Sequence, residues 1–289
     1  MMIRVLAILV ALMAPWSNAV AESRQATCQT DSLTFTLIPK KNIDEQLREY
    51  RPLISLIREG TGLPVDMVRA SSYESVIDGV VSGAAEIAVL GPAAYLIAYR
   101  RNPGIEAFAS LAVEGGRFTP AGSFYHSLLI VRNEGVFTEP AALRGARIAL
   151  SDPSSTSGTL IPKASFPQVV GVPFDRFFGA QVFAGGHDKA LDALLEKKVD
   201  AAFVSSARAD EYLKRGRITE DSLRVLWTSP ALPYDPFVFS SDLCPGLRHT
   251  ITRLMTSPSD RLRAFLEGQH ASGINRVDHG AYEVLEDFL

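Results

Sequence analysis

Ser151-Asp152-Pro153-Ser154-Ser155-Thr156-Ser157-Gly158-Thr159-Leu160-Ile161-Pro162 is the stretch on which the reading of this 289-residue chain turns. Just upstream, Ala146 to Leu150 (A-R-I-A-L) predicts a short buried strand. Downstream, Pro162 is tolerated only in the first turn of a helix, so the helix is predicted to start near Gly158 or Thr159. Ser155, Thr156 and Ser157 then stand where a strand gives way to a helix N-terminus. Backbone N–H groups there have no partners inside the helix and carry the positive end of its dipole, which makes a ready anion site. Gly158 has no side chain to hold an anion off the backbone. No Lys or Arg falls between residues 151 and 162, so hydroxyls and backbone dipoles would do the holding. Read alone, the stretch fits an ordinary capped Ser/Thr-rich turn equally well.

Composition narrows the choice. With 47% hydrophobic residues the chain can bury a large core, as one big domain or two ordinary ones. A net charge of −3 offers no basic excess to neutralise the phosphates of nucleic acid. At the N-terminus, Arg4 precedes an apolar run from Val5 to Met13, and Ala19-Val20-Ala21 forms a small-x-small site. That pattern predicts a signal peptide over residues 1–21, cleaved after Ala21. The run is too short for a permanent membrane anchor. Gln25-Ala26-Thr27 before Cys28 is not a lipoprotein box, so the exported protein is expected to be soluble. Cys28 and Cys244 would meet an oxidising compartment, where one structural disulfide competes with two unpaired or buried thiols.

Along the chain, Leu33 to Ile38 alternates as a strand, and Asn42 to Arg58 has helical apolar spacing. Val65 to Val68 follows as a second strand. Tyr73 to Glu86 and His187 to Asp200 have the same length and the same pattern of polar start, helix, then strand. Each follows a strand, Val65 to Val68 and Gln181 to Ala184 respectively. Two similar α/β halves are therefore predicted, each built on a strand–helix–strand unit with a right-handed crossover. Tyr73 and His187 occupy equivalent places at the C-terminal end of a strand, the edge where open α/β sheets bind ligands. Ser123 to Val131 is expected to pass as one strand from the first half to the second. Val225 to Pro236 is expected to return, and the C-terminal residues from Tyr282 to pack on the first half. These crossings divide the chain into 22–122 (first part of lobe 1), 123–228 (lobe 2) and 229–289 (return crossover and the rest of lobe 1).

Enzyme chemistry has weak support. Ser155 or Ser157 with His187 and Asp235 would make a hydrolase triad, but S-S-T-S-G lacks the G-x-S-x-G nucleophile elbow. The five histidines show no metal-ligand spacing, and no glycine fingerprint for a dinucleotide occurs. No metal and no cofactor is expected.

The segments D-P-S-S-T-S-G-T-L-I-P at 152–162, S-Y-E-S-V-I-D-G-V at 72–80, L-G-P-A-A-Y at 90–95 and F-Y-H-S-L-L-I-V at 124–131 occur in an ordered series. A-G-G-H-D-K-A-L at 184–191, V-D-A-A at 199–202 and W-T-S-P-A-L-P-Y-D-P at 227–236 complete it. Together they resemble the phosphonate/phosphite-type periplasmic substrate-binding proteins of ABC importers, with their oxyanion-sensing relatives, over roughly Leu33 to Pro236. The resemblance implies an α/β, two-lobed type II periplasmic binding fold with two crossover strands and a ligand between the lobes. It implies that Ser155, Thr156 and Ser157 bind a tetrahedral oxyanion (phosphonate, phosphite, phosphate or arsenate), with Tyr73, Tyr125 and His187 closing around it. A neutral His187 would donate one N–H to it, whereas a protonated one would add charge and bind more tightly at low pH. Asp235 matches the acidic position that helps hold the ammonium of aminophosphonates. Relatives of that kind use a second acid soon after the V-D-A strand, but here Ser205-Ser206-Ala207-Arg208 follows, with no acid until Asp210. A smaller inorganic oxyanion is then at least as good a fit. The implied partner is the permease of an ABC importer or, alternatively, the periplasmic domain of a two-component sensor kinase.

Overall fold

The computed structural model describes residues 30–289. The expected signal peptide and Cys28 lie outside the described residues. The first part of the chain forms β1 (Leu33–Leu37), α1 (Ile43–Thr61), β2 (Val65–Val68), α2 (Tyr73–Val81), β3 (Ile87–Val89), α3 (Pro92–Arg101) and β4 (Glu106–Val113). The middle holds β5 (Phe124–Tyr125), β6 (Ser127–Arg132), β7 (Arg147–Leu150), a π-helical turn over Thr156–Leu160, and the short helices α4 (Ile161–Ser165), α5 (Pro167–Val170) and α6 (Phe174–Phe177). Then come β8 (Ala180–Phe183), α7 (His187–Leu195), β9 (Ala201–Ser205), α8 (Ser206–Lys214) and β10 (Leu223–Thr228). The chain closes with β11 (Leu232–Pro233), β12 (Pro236–Phe239), α9 (Pro245–Thr256), α10 (Asp260–Gly268) and β13 (Ala271–Arg276).

Two sheets organise these elements, in the orders β13-β4-β12-β3-β1-β2 and β10-β6-β9-β7-β8. β1 pairs in parallel with β2 and β3, as β7 does with β8 and β9. β12 lies antiparallel between β3 and β4, just as β6 lies antiparallel between β9 and β10. The two sheets therefore repeat one plan, and the strand inserted against the grain is in each case a crossover strand. The crossings are tied together by a two-stranded ribbon in which Tyr125 of β5 faces Leu232 of β11.

Three sequence expectations need correction. The passage Ser123 to Val131 is not one strand but two, broken at His126. There the His126 N–H leaves the ladder and donates to Ser206 Oγ at 3.0 Å, while its Nδ1 sits 2.8 Å from the Ser229 carbonyl. The helix expected from Gly158 begins earlier, because Ser155 caps the π turn by accepting the Gly158 N–H at 3.2 Å. The predicted strand Gln181 to Ala184 is shifted by one residue.

The inner strands of each sheet, β1, β3, β12 and β4 in one and β6, β9 and β7 in the other, are nearly continuous buried runs, as strands covered on both faces should be, while the edge strands β2, β8, β10 and β13 are partly exposed. Under α1, Phe35, Tyr50, Leu53, Phe237 and Phe265 pack into one core. In the other lobe Phe166, Phe174, Phe177, Phe178 and Phe203 do the same. The C-terminal Tyr282 and Leu285 pack with Tyr95 and Ile105 of the first lobe, and the Tyr282 hydroxyl donates to the Tyr234 carbonyl at 3.1 Å.

Candidate functional site

In both lobes the C-terminal ends of the parallel strands run into helix N-termini that face the opposite lobe. The β1–α1 junction presents Lys40, β2–α2 presents Tyr73, and β3–α3 presents Gly91 and Ala93. From the other side come Ser155 and Thr156 after β7, His187 after β8, and Ser205 with Arg208 after β9. Tyr125 and Tyr234 with Asp235 flank the ribbon. Lys40, Tyr73, Tyr125, Ser155, Thr156, His187, Arg208 and Asp235 all line one enclosed inter-lobe cavity. Its open space is about 20 Å³, the room of one or two water molecules.

The lobes touch directly around this cavity. Ala93 N–H, at the start of α3, donates to Thr156 Oγ1 at 2.9 Å. Asp188 N–H, at the start of α7, donates to the Lys40 carbonyl at 3.3 Å, which ties the first turn of α7 to the loop that carries Lys40. Tyr73 N–H, at the start of α2, faces Asp152 Oδ2 at 3.4 Å. A Cβ on Gly186 would come within 2.8 Å of the Pro39 carbonyl oxygen, so the bare backbone of Gly186 lets the lobes approach.

His187 is held in one tautomer. The Ser205 backbone N–H donates to Nδ1 at 3.1 Å, and Ser151 Oγ lies 2.8 Å from the same nitrogen. An Nδ1 that accepts a backbone N–H carries no proton of its own, so the proton sits on Nε2, 3.4 Å from Ser155 Oγ. Burial, with the positive charges of Arg208 and Lys40, pulls the imidazole pKa down from 6.5 to about 3. His187 is therefore a neutral donor at physiological pH, the first of the two protonation states that the sequence left open.

Around this donor the hydroxyls take different directions. Ser155 Oγ caps the π turn, and Thr156 Oγ1 reaches across to α3. Ser157 is buried but is not among the residues lining the cavity, and its Oγ has no hydrogen-bond partner among the described residues. Tyr73 is 1% exposed, and its hydroxyl also has no partner among the described residues. Burial, followed by the negative charge of Asp235, pushes the Tyr73 and Tyr125 phenols well above their ordinary value, so both are hydrogen-bond donors.

Two cations stand at the cavity, of which sequence reasoning noted Arg208 after the V-D-A strand but missed Lys40. Lys40 Nζ lies 2.6 Å from Asp235 Oδ2 and 5.7 Å from the centre of the Tyr234 ring. Burial alone would lower its pKa, but the charge of Asp235, with Tyr234 and Tyr50, holds the ammonium above its ordinary value. Arg208 forks onto Asp188, with Nε–Oδ1 at 3.0 Å and Nη2–Oδ2 at 3.1 Å. Both cations thus come already paired. The duplicated plan offered a signal for Lys40: β1 corresponds to β7, so Pro39-Lys40-Lys41 occupies the place of the hydroxyl loop. Of the seven residues expected at the site, Tyr73, Tyr125, Ser155, Thr156, His187 and Asp235 line this cavity, and Ser157 is next to them in the chain.

Two α/β lobes of the same plan, joined by paired crossover strands and enclosing a cavity of helix N-termini and buried hydroxyls, define a type II solute-binding protein. The family model described as "ABC transporter, phosphonate, periplasmic substrate-binding protein" matches residues 35–282, and the chain belongs to that family. It is 28% identical over 231 residues to the phosphate-import protein PhnD of Mycolicibacterium smegmatis, a match covering 74% of this chain and 68% of the relative. To the phosphonates-binding periplasmic protein of Escherichia coli it is 26% identical over 222 residues, covering 74% of this chain and 62% of the relative. Its fold is similar to that of PhnD1 from Prochlorococcus marinus, solved in complex with methylphosphonate, with a TM-score of 0.79 at 16% identity over 89% of this chain and 97% of that one. As a member of this family the protein is a periplasmic substrate-binding component of an ABC transporter and not an enzyme, so the hydrolase reading falls.

Proposed function

We propose that the inter-lobe cavity binds a compact tetrahedral oxyanion (phosphate, phosphite, arsenate or methylphosphonate) for delivery to the permease of an ABC importer. One observation carries the reading. The Tyr73 hydroxyl is buried without a partner among the described residues, at a cavity that also presents the Nε2–H of His187 and the hydroxyls of Ser155 and Thr156. A buried donor left unpaired costs about 1–3 kcal/mol, a cost that an oxyanion oxygen would remove. The similarity to a phosphate-import protein supports a compact ligand. Asp210, the nearest acid after the V-D-A strand, accepts the Phe118 N–H at 3.0 Å, which supports a ligand without an ammonium group.

Calorimetric titration of residues 22–289, stripped of carried-over ligand, with phosphate, phosphite, arsenate, methylphosphonate and sulfate tests the proposal. One-to-one binding of at least one phosphorus or arsenic oxyanion is expected. Folded protein that binds none of them would overturn it. The same proposal takes residues 123–228 as the second lobe, residues 1–21 as a cleaved signal peptide and Cys28 with Cys244 as a disulfide. Nothing favours a sensor-kinase role over import.

A further inference from the structure

We propose that Lys40 acts as a built-in ammonium that sets the specificity of the site against ligands carrying a cationic substituent. This rests on the oxyanion reading of the same cavity.

The geometry between the hydroxyl loop and Asp235 comes first. A Cβ placed on Gly91 would lie 3.5 Å from Thr156 Oγ1 and 3.9 Å from Asp235 Oδ1. The oxyanion hydroxyls and the Asp235 carboxylate are thus close enough for one short ligand to touch both. A ligand with its oxyanion against Ser155, Thr156 and His187 would direct a substituent toward Asp235.

At that end stand a carboxylate and an aromatic face, the surroundings that recognise an ammonium group. Lys40 already fills them. Its Nζ sits 2.6 Å from Asp235 Oδ2 and 5.7 Å from the Tyr234 ring centre, and the two charged side chains are only 17% and 10% exposed. The lysine is not a loose surface side chain swung into the cleft. Its carbonyl accepts the Asp188 N–H, and the next side chain, Lys41, pairs with Glu49 at 2.5 Å.

A second ammonium arriving on a ligand would meet the Lys40 charge at short range. It would have to displace that charge from a pair that burial has made costly to break. A methyl group or a bare oxygen meets no such competitor. The other carboxylate nearby offers no alternative berth, because Asp188 is forked by Arg208. Asp210 is turned toward the Phe118 N–H. The local charges therefore reject cationic substituents rather than merely fail to attract them.

Titration calorimetry of wild type, Lys40→Ala and Lys40→Met with methylphosphonate, phosphate and 2-aminoethylphosphonate tests this. Wild type is expected to bind methylphosphonate or phosphate at least about tenfold more tightly than the aminoethyl compound. Either Lys40 variant frees Asp235 and Tyr234, and the ratio should move by about tenfold or more toward the amine. Adding Asp235→Asn to the Lys40 variant should abolish that gain. A ratio that stays within about twofold in a folded variant, checked by thermal melting, would overturn the role of Lys40 while leaving the oxyanion site standing. Wild-type preference for the amine would also overturn it. Binding of no phosphorus oxyanion by wild type would instead remove the reading on which it rests. The Met variant, which keeps an apolar stem, guards against an Ala variant that does not fold.

Discussion

Tyr73→Phe should separate binding from stability. The substitution keeps a ring that is almost wholly buried at the start of α2 and removes only the hydroxyl, which has no partner to lose among the described residues. Stability of the unliganded protein should therefore stay within about 0.5 kcal/mol of wild type or rise slightly. Affinity should fall by the worth of a hydrogen bond to a charged oxygen, about 1.5–3 kcal/mol, or roughly 10- to 150-fold in Kd. The two effects can be read in one pair of experiments, calorimetric titration and thermal unfolding with and without ligand. At a ligand concentration of about 100 times the wild-type Kd, linkage stabilises wild type by about 2.7 kcal/mol. A variant weakened about 30-fold gains only about 0.9 kcal/mol at that same concentration. A fall in affinity below about threefold would refute contact between the hydroxyl and the ligand. Loss of stability in the unliganded variant by more than about 1 kcal/mol would refute the absence of a structural partner.

Other consequences are equally open to measurement. His187, with its pKa at about 3 in the fold against 6.5 when free, should show no titration between about pH 5 and 8 in nitrogen-detected NMR, with the proton on Nε2. Because the unfolded chain alone takes up that proton, its contribution to stability is complete above about pH 6.5 and shrinks as pH falls toward 3; stability that rises on acidification through this window would contradict it. Gly186→Ala adds no backbone strain, since φ there is 168° and suits any residue, but it should weaken binding by crowding the Pro39 carbonyl where the lobes meet; an unaltered Kd would refute the close approach. Arg215, which bridges Glu45 and Glu49 across the lobes, should on change to Ala cost about 0.5–1 kcal/mol in binding at low salt and less at high salt, and a loss that does not vary with salt would argue against an electrostatic latch. For the proposed disulfide, mass spectrometry of unreduced, alkylated protein should find neither Cys28 nor Cys244 labelled; two labelled thiols would exclude the pair.

Much of the fold was legible because its signals are local. Asn42 caps α1 as a short polar side chain before a helical apolar pattern should, accepting the Glu45 N–H at 3.1 Å. Val65–Val68 is a strand with the bounds its sequence predicts. The equal spacing of Tyr73 and His187 also proved structural, since both open nine-residue helices facing the cleft. What escaped depends on pairing across the chain. The break at His126 is set by Ser206 and Ser229, distant in sequence, and no periodicity in Ser123 to Val131 announces it. Lys40 reads locally as one of two lysines in a solvated turn, and only Asp235, 195 residues later, turns it inward. The protonation of His187 was equally hidden, because Ser205 N–H decides which ring nitrogen can accept.

The site's charge balance follows from the same long-range pairing. The hydroxyl loop contains no Lys or Arg, which suggested that neutral dipoles alone hold the anion. The folded cavity does contain two cations, yet Lys40 is committed to Asp235 and Arg208 to Asp188. Fixed charges therefore cancel pairwise around the site, and what remains to face an oxyanion is directional: the Tyr73 hydroxyl, the His187 Nε2–H, the Ser155 and Thr156 hydroxyls and the helix N-termini. Directional donors discriminate by the number and placement of acceptor oxygens, whereas free cations would attract any anion of sufficient charge. Two paired cations, by contrast, act mainly on what else may enter. They keep His187 neutral, with burial the larger cause, and Lys40 takes the carboxylate that a cationic substituent would need. Recognition of the oxyanion and rejection of the wrong substituent thus fall to different residues, and each can be altered without removing the other.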